Sequence, residues 1–220
     1  MREVVLDTET TGLSPASGDR VIEIGGVELV NHVPTGWTFQ RYLNPERPVP
    51  AGALAVHGIS DAFLADKPLF ADVVDEFFAF LGDAPLVIHN AEFDIGFLNA
   101  ELDRIGRPRL DPARAIDTLT IARKKFFGAA ASLDALCRRF EIDLGARDLH
   151  GALKDALLLA EVYLGLLGGR QPGLELIQTR KRAAPAQRPT RTPLLVQPTD
   201  AEAAAHARLL DRLTDPMWRQ

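Results

Sequence analysis

The sequence predicts a mixed α/β fold, in which helices flank a five-stranded sheet and a flexible tail with one short helix follows. Three strand-like runs separated by turn residues open the chain. Strand and helix patterns then alternate, and the composition changes after residue 168. Strands that alternate with helices are typical of a sheet covered by helices, because each helix buries its apolar side against another element.

The opening strands are predicted by β-branched residues and by the turns between them. The run "REVVL" at residues 2–6 is followed by the acidic "DTET" and then by the turn residues "GLSP". The runs "RVIEIGGVELV" and "GWTFQRYLNP" predict two further strands, which the turn-rich "NHVPTG" joins. Strands joined in this way are antiparallel neighbours, so we expect a three-stranded meander.

The middle of the chain supplies the other two strands and most of the helices. Residues 45–68 contain several prolines and are interpreted as a long loop. After it, the spacing of "LFADVVDEFFAFLG" predicts an amphipathic helix, "PLVIHN" a short buried strand and "AEFDIGFLNAELDRIG" a second helix. The runs "RAIDTLTIARKKF", "SLDALCRRFEI" and "HGALKDALLLAEVYLGLL" supply one more short strand and three helices.

The composition predicts three parts, namely a folded domain at residues 1–168, a flexible linker at 169–198 and a tail at 199–220. A chain of 220 residues that is 46% hydrophobic can bury one ordinary core and leave an extension. The linker is rich in Pro, Arg, Gln and Thr and has no sustained apolar period. In the tail, Thr199 and Glu202 have the spacing of a capping box, which predicts a short helix.

Cysteine content and hydropathy exclude a disulfide-stabilised or membrane-spanning protein, and the charge is unevenly distributed along the chain. The formal net charge is −5, and the acidity lies in residues 1–168, with 16 Lys and Arg against 25 Asp and Glu. Cys137 is the one cysteine and has the helical spacing of a core residue, so no disulfide can form within the chain. No run approaches the roughly 20 apolar residues of a membrane span. We expect a soluble, cytoplasmic protein that does not bind membranes.

Acidic residues at the end of the first strand predict a metal site. Side chains alternate along a strand, so Asp7 and Glu9 lie on the same face. Asp94 falls in the first turn of the helix after "VIHN", and Asp155 falls one turn into the last long helix, with His150 at its entry. Oxygen ligands of this kind favour two Mg²⁺ or Mn²⁺ ions, and a nearby histidine can accept a proton near neutral pH.

Three of these stretches, "DTETTG", "HNAEFDIGFL" and "HGALKDA", resemble the DEDDh family of 3′→5′ exonucleases, which have a ribonuclease H-like fold. The resemblance covers residues 2–168. It implies that Asp7, Glu9, Asp94 and Asp155 hold the metals and that His150 is the general base. It also implies a binding site for the terminal nucleotide, formed by Thr10, Thr11, Gly12, His57 and Phe93.

The segment after the domain resembles the family of proofreading subunits of bacterial DNA polymerase III. The run "QPGLEL" is similar to that family's sliding-clamp motif, with Gln171, Leu174 and Leu176 at its key positions. The tail is similar to the segment that binds the polymerase alpha subunit, with Leu209, Leu213 and Trp218 as expected anchors. The implied partners are a DNA 3′ terminus, the alpha subunit and the clamp.

Two other functions remain open at the level of sequence. An RNA-trimming exonuclease of the same family would carry the same metal-binding motifs, and a catalytically silent scaffold could bridge polymerase and clamp through the tail. The basic run Arg123-Lys124-Lys125 is either a solvated helix face or a contact for a phosphate backbone.

Overall fold

The computed structural model describes residues 1–144, 150–169 and 197–214. Its five-stranded sheet has the strand order β3-β2-β1-β4-β5, in which β1 pairs antiparallel with β2, and β2 with β3. β4 runs parallel to β1 and to β5. The mixed sheet predicted from the sequence is therefore confirmed. The strands are β1 (Arg2–Thr10), β2 (Val21–Val30), β3 (Val33–Tyr42), β4 (Leu86–Ile88) and β5 (Ala115–Asp117).

Helices cover both faces of the sheet. The helices are α1 (Ala51–His57), α2 (Asp61–Leu64), α3 (Phe70–Leu81), α4 (Ala91–Arg104), α5 (Thr118–Lys125), α6 (Leu133–Arg139), α7 (Ala152–Leu166) and α8 (Asp200–Leu210). Val4 and Leu6 of β1 pack in one core with α3 and α4, whereas Val5 between them packs in a second core with α6 and α7. The central strand is buried on both faces, which explains its continuous apolar run.

Two local features differ from the sequence-based expectation. The β2–β3 turn consists of Asn31 and His32, with φ angles of 52° and 66°, and β3 already begins at Val33. Two consecutive positive φ angles are typical of a type I′ hairpin turn, whose twist matches that of its strands. Residues 45–68 were interpreted as a loop but contain the short helices α1 and α2.

Helix α7 lies directly on β2, and a glycine permits this approach. A Cβ atom added at Gly25 would lie 2.2 Å from the carbonyl carbon of Ala152 and from the amide nitrogen of Leu153. Such a distance is far below any van der Waals contact, so any other residue at position 25 would displace the helix or the strand. Because α7 begins here, Gly25 also determines how close the start of α7 comes to β1.

The chain divides into two compact units, residues 1–174 and 175–220. In the second unit, Thr199 and Glu202 form the predicted capping box at the start of α8. Leu209 and Leu213, two of the expected anchors, are 53% and 50% exposed. Gln171, Leu174, Leu176 and Trp218 lie outside the described residues. Within the described part of the chain, no helix is long and apolar enough to span a membrane.

Candidate active site

The central strand β1 brings the first two acidic residues to one end of the sheet. Asp7 and Glu9 are partly buried near the end of β1, and in the antiparallel pairing Glu9 lies opposite Glu23 of β2. Thr8, between the two acids, donates a hydrogen bond of 2.7 Å from Oγ1 to Oδ1 of Asp94. This contact joins β1 to the helix that follows β4.

Asp94 reaches the same region because the chain reverses sharply between β4 and α4. Asn90, which precedes α4, has a left-handed conformation with φ 69°, and its amide donates to Oδ1 of Asp117 at 3.0 Å. Asparagine tolerates this conformation better than most residues. The helix then begins at Ala91 and carries Asp94 in its first turn, where its side chain is buried.

Helix α7 supplies the remaining acid, and the segment just before it supplies the histidine. Asp155 is buried in the first turn of α7, and its Oδ2 lies 2.9 Å from Nδ1 of His150. The His150 amide also donates to the carbonyl of Val56 at 3.2 Å, which ties this segment to α1. One potential ligand atom each from Glu9, His150 and Asp155 lie within 4.8 Å of one another, a spacing suitable for a metal ion.

The electrostatics of the cluster also favour a bound cation. Burial, together with the neighbouring carboxylates of Asp94 and Asp155, raises the pKa of Asp7 well above its ordinary value. Burial raises the pKa of Asp94 to about 7, although hydrogen bonding with Thr8 opposes the change. Carboxylates that are buried beside one another disfavour ionisation, and a divalent cation removes this penalty. The residues present therefore fit a divalent metal ion.

A cavity of about 610 Å³ opens beside the acidic cluster, and Glu9 is part of its wall. The residues that the family resemblance implied for nucleotide binding line this same cavity: Thr10, Thr11, Gly12, His57 and Phe93. Nδ1 of His57 accepts a hydrogen bond from the amide of Ile59 at 3.0 Å, and burial lowers the pKa of the ring. The ring is therefore neutral with its proton on Nε2, which is buried and makes no hydrogen bond within the described residues.

Glu23 is a part of this site that the sequence analysis missed. Its side chain is buried, and Oε2 accepts a hydrogen bond of 3.1 Å from the amide of Ala152, the first residue of α7. Gln40 donates to its other oxygen at 2.8 Å. Gly151 at the helix start has no side chain with which to cap α7, so Glu23 performs this role from β2. The acidic residue in "VIEIGG" was the available signal.

Two other polar residues have structural partners. Asp117, which directly precedes α5, caps this helix by accepting a hydrogen bond from the Leu119 amide at 3.0 Å. Nδ1 of His89, the residue after β4, lies 2.9 Å from Oγ1 of Thr118, the first residue of α5, so this histidine connects the two elements.

The sequence profile of the family RNase_T, described as "Exonuclease", matches residues 4–163. Similar proteins include the DNA polymerase III subunit epsilon of Rickettsia conorii, which is 48% identical over 222 residues, covering 97% of this chain and 96% of that protein. The DNA polymerase III subunit epsilon of Escherichia coli is 46% identical over 230 residues, covering 96% of this chain and 92% of that protein.

Solved structures with a similar fold include Exonuclease X in complex with 5′ overhanging duplex DNA. It is 26% identical with a TM-score of 0.60, and the match covers 76% of this chain and 92% of that chain. The nuclease domain of 3′hExo, a DEDDh family member bound to rAMP, is 20% identical with a TM-score of 0.66, covering 77% of this chain and 92% of that chain. The latter similarity concerns the fold alone.

Proposed function

The chain belongs to the RNase_T exonuclease family, and from that premise we propose that it is the 3′→5′ proofreading exonuclease subunit of a replicative DNA polymerase III. Family membership and the related structures also confirm the ribonuclease H-like fold expected from the sequence. The observation that carries the proposal is the 46% to 48% identity to epsilon subunits, which extends over nearly the whole chain, including the region beyond the nuclease domain.

The proposed metal ligands are Asp7, Glu9, Asp94 and Asp155, and two Mg²⁺ or Mn²⁺ ions are the proposed cofactors. The choice of these ions rests on the donor set, which consists of carboxylate oxygens. When bound, such ions make water a stronger nucleophile and stabilise negative charge on phosphate oxygens. The buried acids contribute by holding their oxygens in place, because Asp94 is hydrogen-bonded to Thr8.

His150 is the proposed general base. When Nδ1 carries the ring proton, its 2.9 Å contact with Oδ2 of Asp155 is a hydrogen bond to a carboxylate, and Nε2 is then the basic nitrogen. The side chain of His150 is 44% exposed, so it can meet a water molecule at the mouth of the site. The carboxylate also stabilises the charged ring after proton transfer.

The cavity beside the acids is the proposed site of the terminal nucleotide. The neutral His57 ring offers a buried N–H donor to a substrate oxygen, and Phe93 offers an aromatic surface for a base. Thr10 donates from Oγ1 to the carbonyl of Gly12 at 2.6 Å, which holds the loop that forms the cavity's wall. These contacts would place the last phosphodiester bond beside Glu9.

The proposed partners beyond the DNA 3′ terminus are the polymerase alpha subunit, through residues 199–220, and the sliding clamp, through residues 171–176. Two exposed leucines, Leu209 in α8 and Leu213 three residues beyond its end, support the first assignment, because a short helix with these side chains in solvent gains little stability alone. Binding a partner would bury both side chains.

The function is tested by assaying the purified chain on single-stranded DNA, on RNA of the same sequence, and on a primer with a paired or mispaired 3′ end. We expect nucleoside 5′-monophosphates from DNA in Mg²⁺ or Mn²⁺, faster release at a mispair, and no cleavage in chelator. Preferred cleavage of RNA would indicate the RNA-trimming alternative, and inactivity in both metals would indicate the scaffold.

The partner assignments are tested separately. Deleting residues 199–220 should abolish co-purification with the alpha subunit and leave cleavage of a free oligonucleotide unchanged. Gln171→Ala with Leu174→Ala should weaken clamp binding without affecting either property. Equal recovery of the alpha subunit by the truncated and full-length chains would contradict the assignment of the tail.

A further inference from the structure

Some Lys and Arg side chains of the first unit form ion pairs with acidic residues, and others do not. Every Lys and Arg between residues 1 and 110 forms an ion pair: Arg2, Arg20, Arg41, Arg47, Lys67, Arg104, Arg107 and Arg109. By contrast, Arg123 and Lys124 of α5 are exposed, and no described carboxylate forms an ion pair with either of them. Arg123 and Lys124 therefore form a local positive surface on a strongly acidic domain.

The connection between α5 and α6 presents an exposed aromatic residue beside these charges. Phe127 is 97% exposed, whereas its neighbour Phe126 packs on the ring of Phe140 with centroids 5.9 Å apart and lies 4.4 Å from the Arg139 guanidinium. The Ala129 amide donates to the Phe126 carbonyl at 3.0 Å. The loop is thus anchored by one phenylalanine, and its fixed conformation holds the other in solvent.

This surface begins at the same end of the sheet as the active site. Helix α5 starts directly after β5, and its first residue, Thr118, contacts the ring of His89 next to the start of α4. The far end of the loop returns to the same region, because the backbone of Ala131 lies close to the ring of His89. Arg123 lies five residues into the helix, roughly 8 Å along its axis.

We propose that Arg123, Lys124 and Phe127 form a docking surface for the single-stranded DNA that leads to the active site. The two cations contact backbone phosphates, and Phe127 stacks with a base. This inference rests on the proposed function and adds the path of the strand beyond its terminal nucleotide. Basic side chains beside an exposed aromatic residue are the combination that binds single strands without regard to sequence. An apolar protein partner would gain nothing from Arg123 and Lys124.

The test compares two substrates of the full-length chain in Mg²⁺. One is a long single-stranded oligonucleotide, and the other is a nitrophenyl ester of a nucleoside 5′-monophosphate, which occupies only the active site. Arg123→Ala with Lys124→Ala should raise KM for the oligonucleotide severalfold. In a plot of the logarithm of the binding constant against the logarithm of the salt concentration, the slope should become shallower by about 1.4, because each lost phosphate contact to a single strand contributes about 0.7. Hydrolysis of the ester should not change.

Phe127→Ala should raise KM for the oligonucleotide roughly 5-fold or more, the usual contribution of one stacked base, and Phe127→Trp should restore it. Arg107→Ala with Arg109→Ala is the matched control, because it removes the same charge from ion-paired positions. Unchanged oligonucleotide kinetics in these variants, as a protein-binding surface would give, would overturn the proposal. An equal loss of activity on the oligonucleotide and the ester would also overturn it, and so would an equal loss in the control variant. If the wild-type chain cleaves neither substrate, the proposed function fails instead.

Discussion

The two ends of the contact between β1 and α7 hold acidic side chains in opposite surroundings. At one end, Glu3 is 1% exposed, accepts a hydrogen bond of 2.9 Å from the hydroxyl of Tyr163, and lies 2.7 Å from Nδ1 of His32. At the other end, the pKa of Asp7 is raised by burial and by the carboxylates around it, Asp155 included. The same strand and the same helix position both acids.

This difference indicates that Glu3 contributes to the stability of the fold, whereas Asp7 is suited to binding a cation. One oxygen of Glu3 accepts a hydrogen bond from Tyr163 and the other lies beside the His32 imidazole, so the folded chain offsets part of the cost of its burial. Asp7 lies among other carboxylates, and their repulsion is a cost that the fold bears in the absence of a cation. Each prediction below changes one of the two ends or the solution around them.

The largest effect is expected from Asp7→Ala, which should abolish exonuclease activity. Removing one carboxylate relieves repulsion, so the metal-free variant should melt at the same temperature as the wild type or higher. Circular dichroism and thermal melting in chelator, beside an activity assay in Mg²⁺, measure both properties. Lost secondary structure in this variant would show that Asp7, like Glu3, stabilises the fold.

His150→Ala should lower kcat by about 10²- to 10⁴-fold, the usual contribution of a positioned proton acceptor. Metal affinity should change little, because His150 is assigned to proton transfer. Calorimetric titration with Mn²⁺ separates the two roles. If the variant lost its ions together with its rate, the histidine would be a ligand.

Glu23→Gln should reduce activity at limiting metal about 10- to 100-fold, as changes to residues that orient metal ligands commonly do. The amide cannot accept from both the Ala152 amide and Gln40, so the start of α7 would shift relative to β1. Activity measured against Mg²⁺ concentration tests this. Glu28→Gln, on the same strand, is the control and should leave the metal dependence unchanged.

Tyr163→Phe acts at the structural end and should destabilise the protein by about 1–3 kcal/mol, because the buried Glu3 carboxylate loses a donor. The unfolding temperature should fall by several degrees, while activity measured well below it stays within about twofold of the wild type. A large loss of activity without destabilisation would mean that the two ends are not separable.

The smallest effect concerns pH. The pKa of Asp94 is raised to about 7, so between its ordinary value and pH 7 the folded state binds more protons than the unfolded state. The free energy of unfolding of the metal-free protein should therefore fall as pH rises toward 7, and the destabilisation is fully present above that pH. Denaturant unfolding at pH 5 and pH 8 measures it. Saturating Mg²⁺ should reduce the difference, and a metal-free protein more stable at pH 8 would contradict it.

The local parts of this arrangement could be predicted from the sequence, and the long-range parts could not. Asp7 and Glu9 were recognised because strand alternation alone places them together, and the helix containing Asp94 follows directly from its strand. The role of Glu23 depends on the pairing of β1 with β2 and on contact with a helix start 129 residues away. No local pattern carries that information.

The missed local features have simple physical explanations. The helices α1 and α2 have seven and four residues and lie among prolines, so apolar periodicity has too few turns to appear. The Asn31–His32 turn lacks the glycine that usually marks such hairpins. Cations before residue 110 form ion pairs, whereas Arg123 and Lys124 form none with the carboxylates that the structure describes, and this contrast depends on where acidic residues of other elements lie.

The packing of α7 onto the first strand has a consequence for biosynthesis. The meander of β1 to β3 joins neighbouring segments and can form as soon as the ribosome has released it, whereas the contact between Glu3 and Tyr163 spans 160 residues. A nascent chain interrupted before residue 150 would hold three of the proposed metal ligands but neither His150 nor Asp155. On the proposed mechanism, degradation of DNA ends thus awaits near-completion of the nuclease domain, so interrupted translation yields a fragment without nuclease activity.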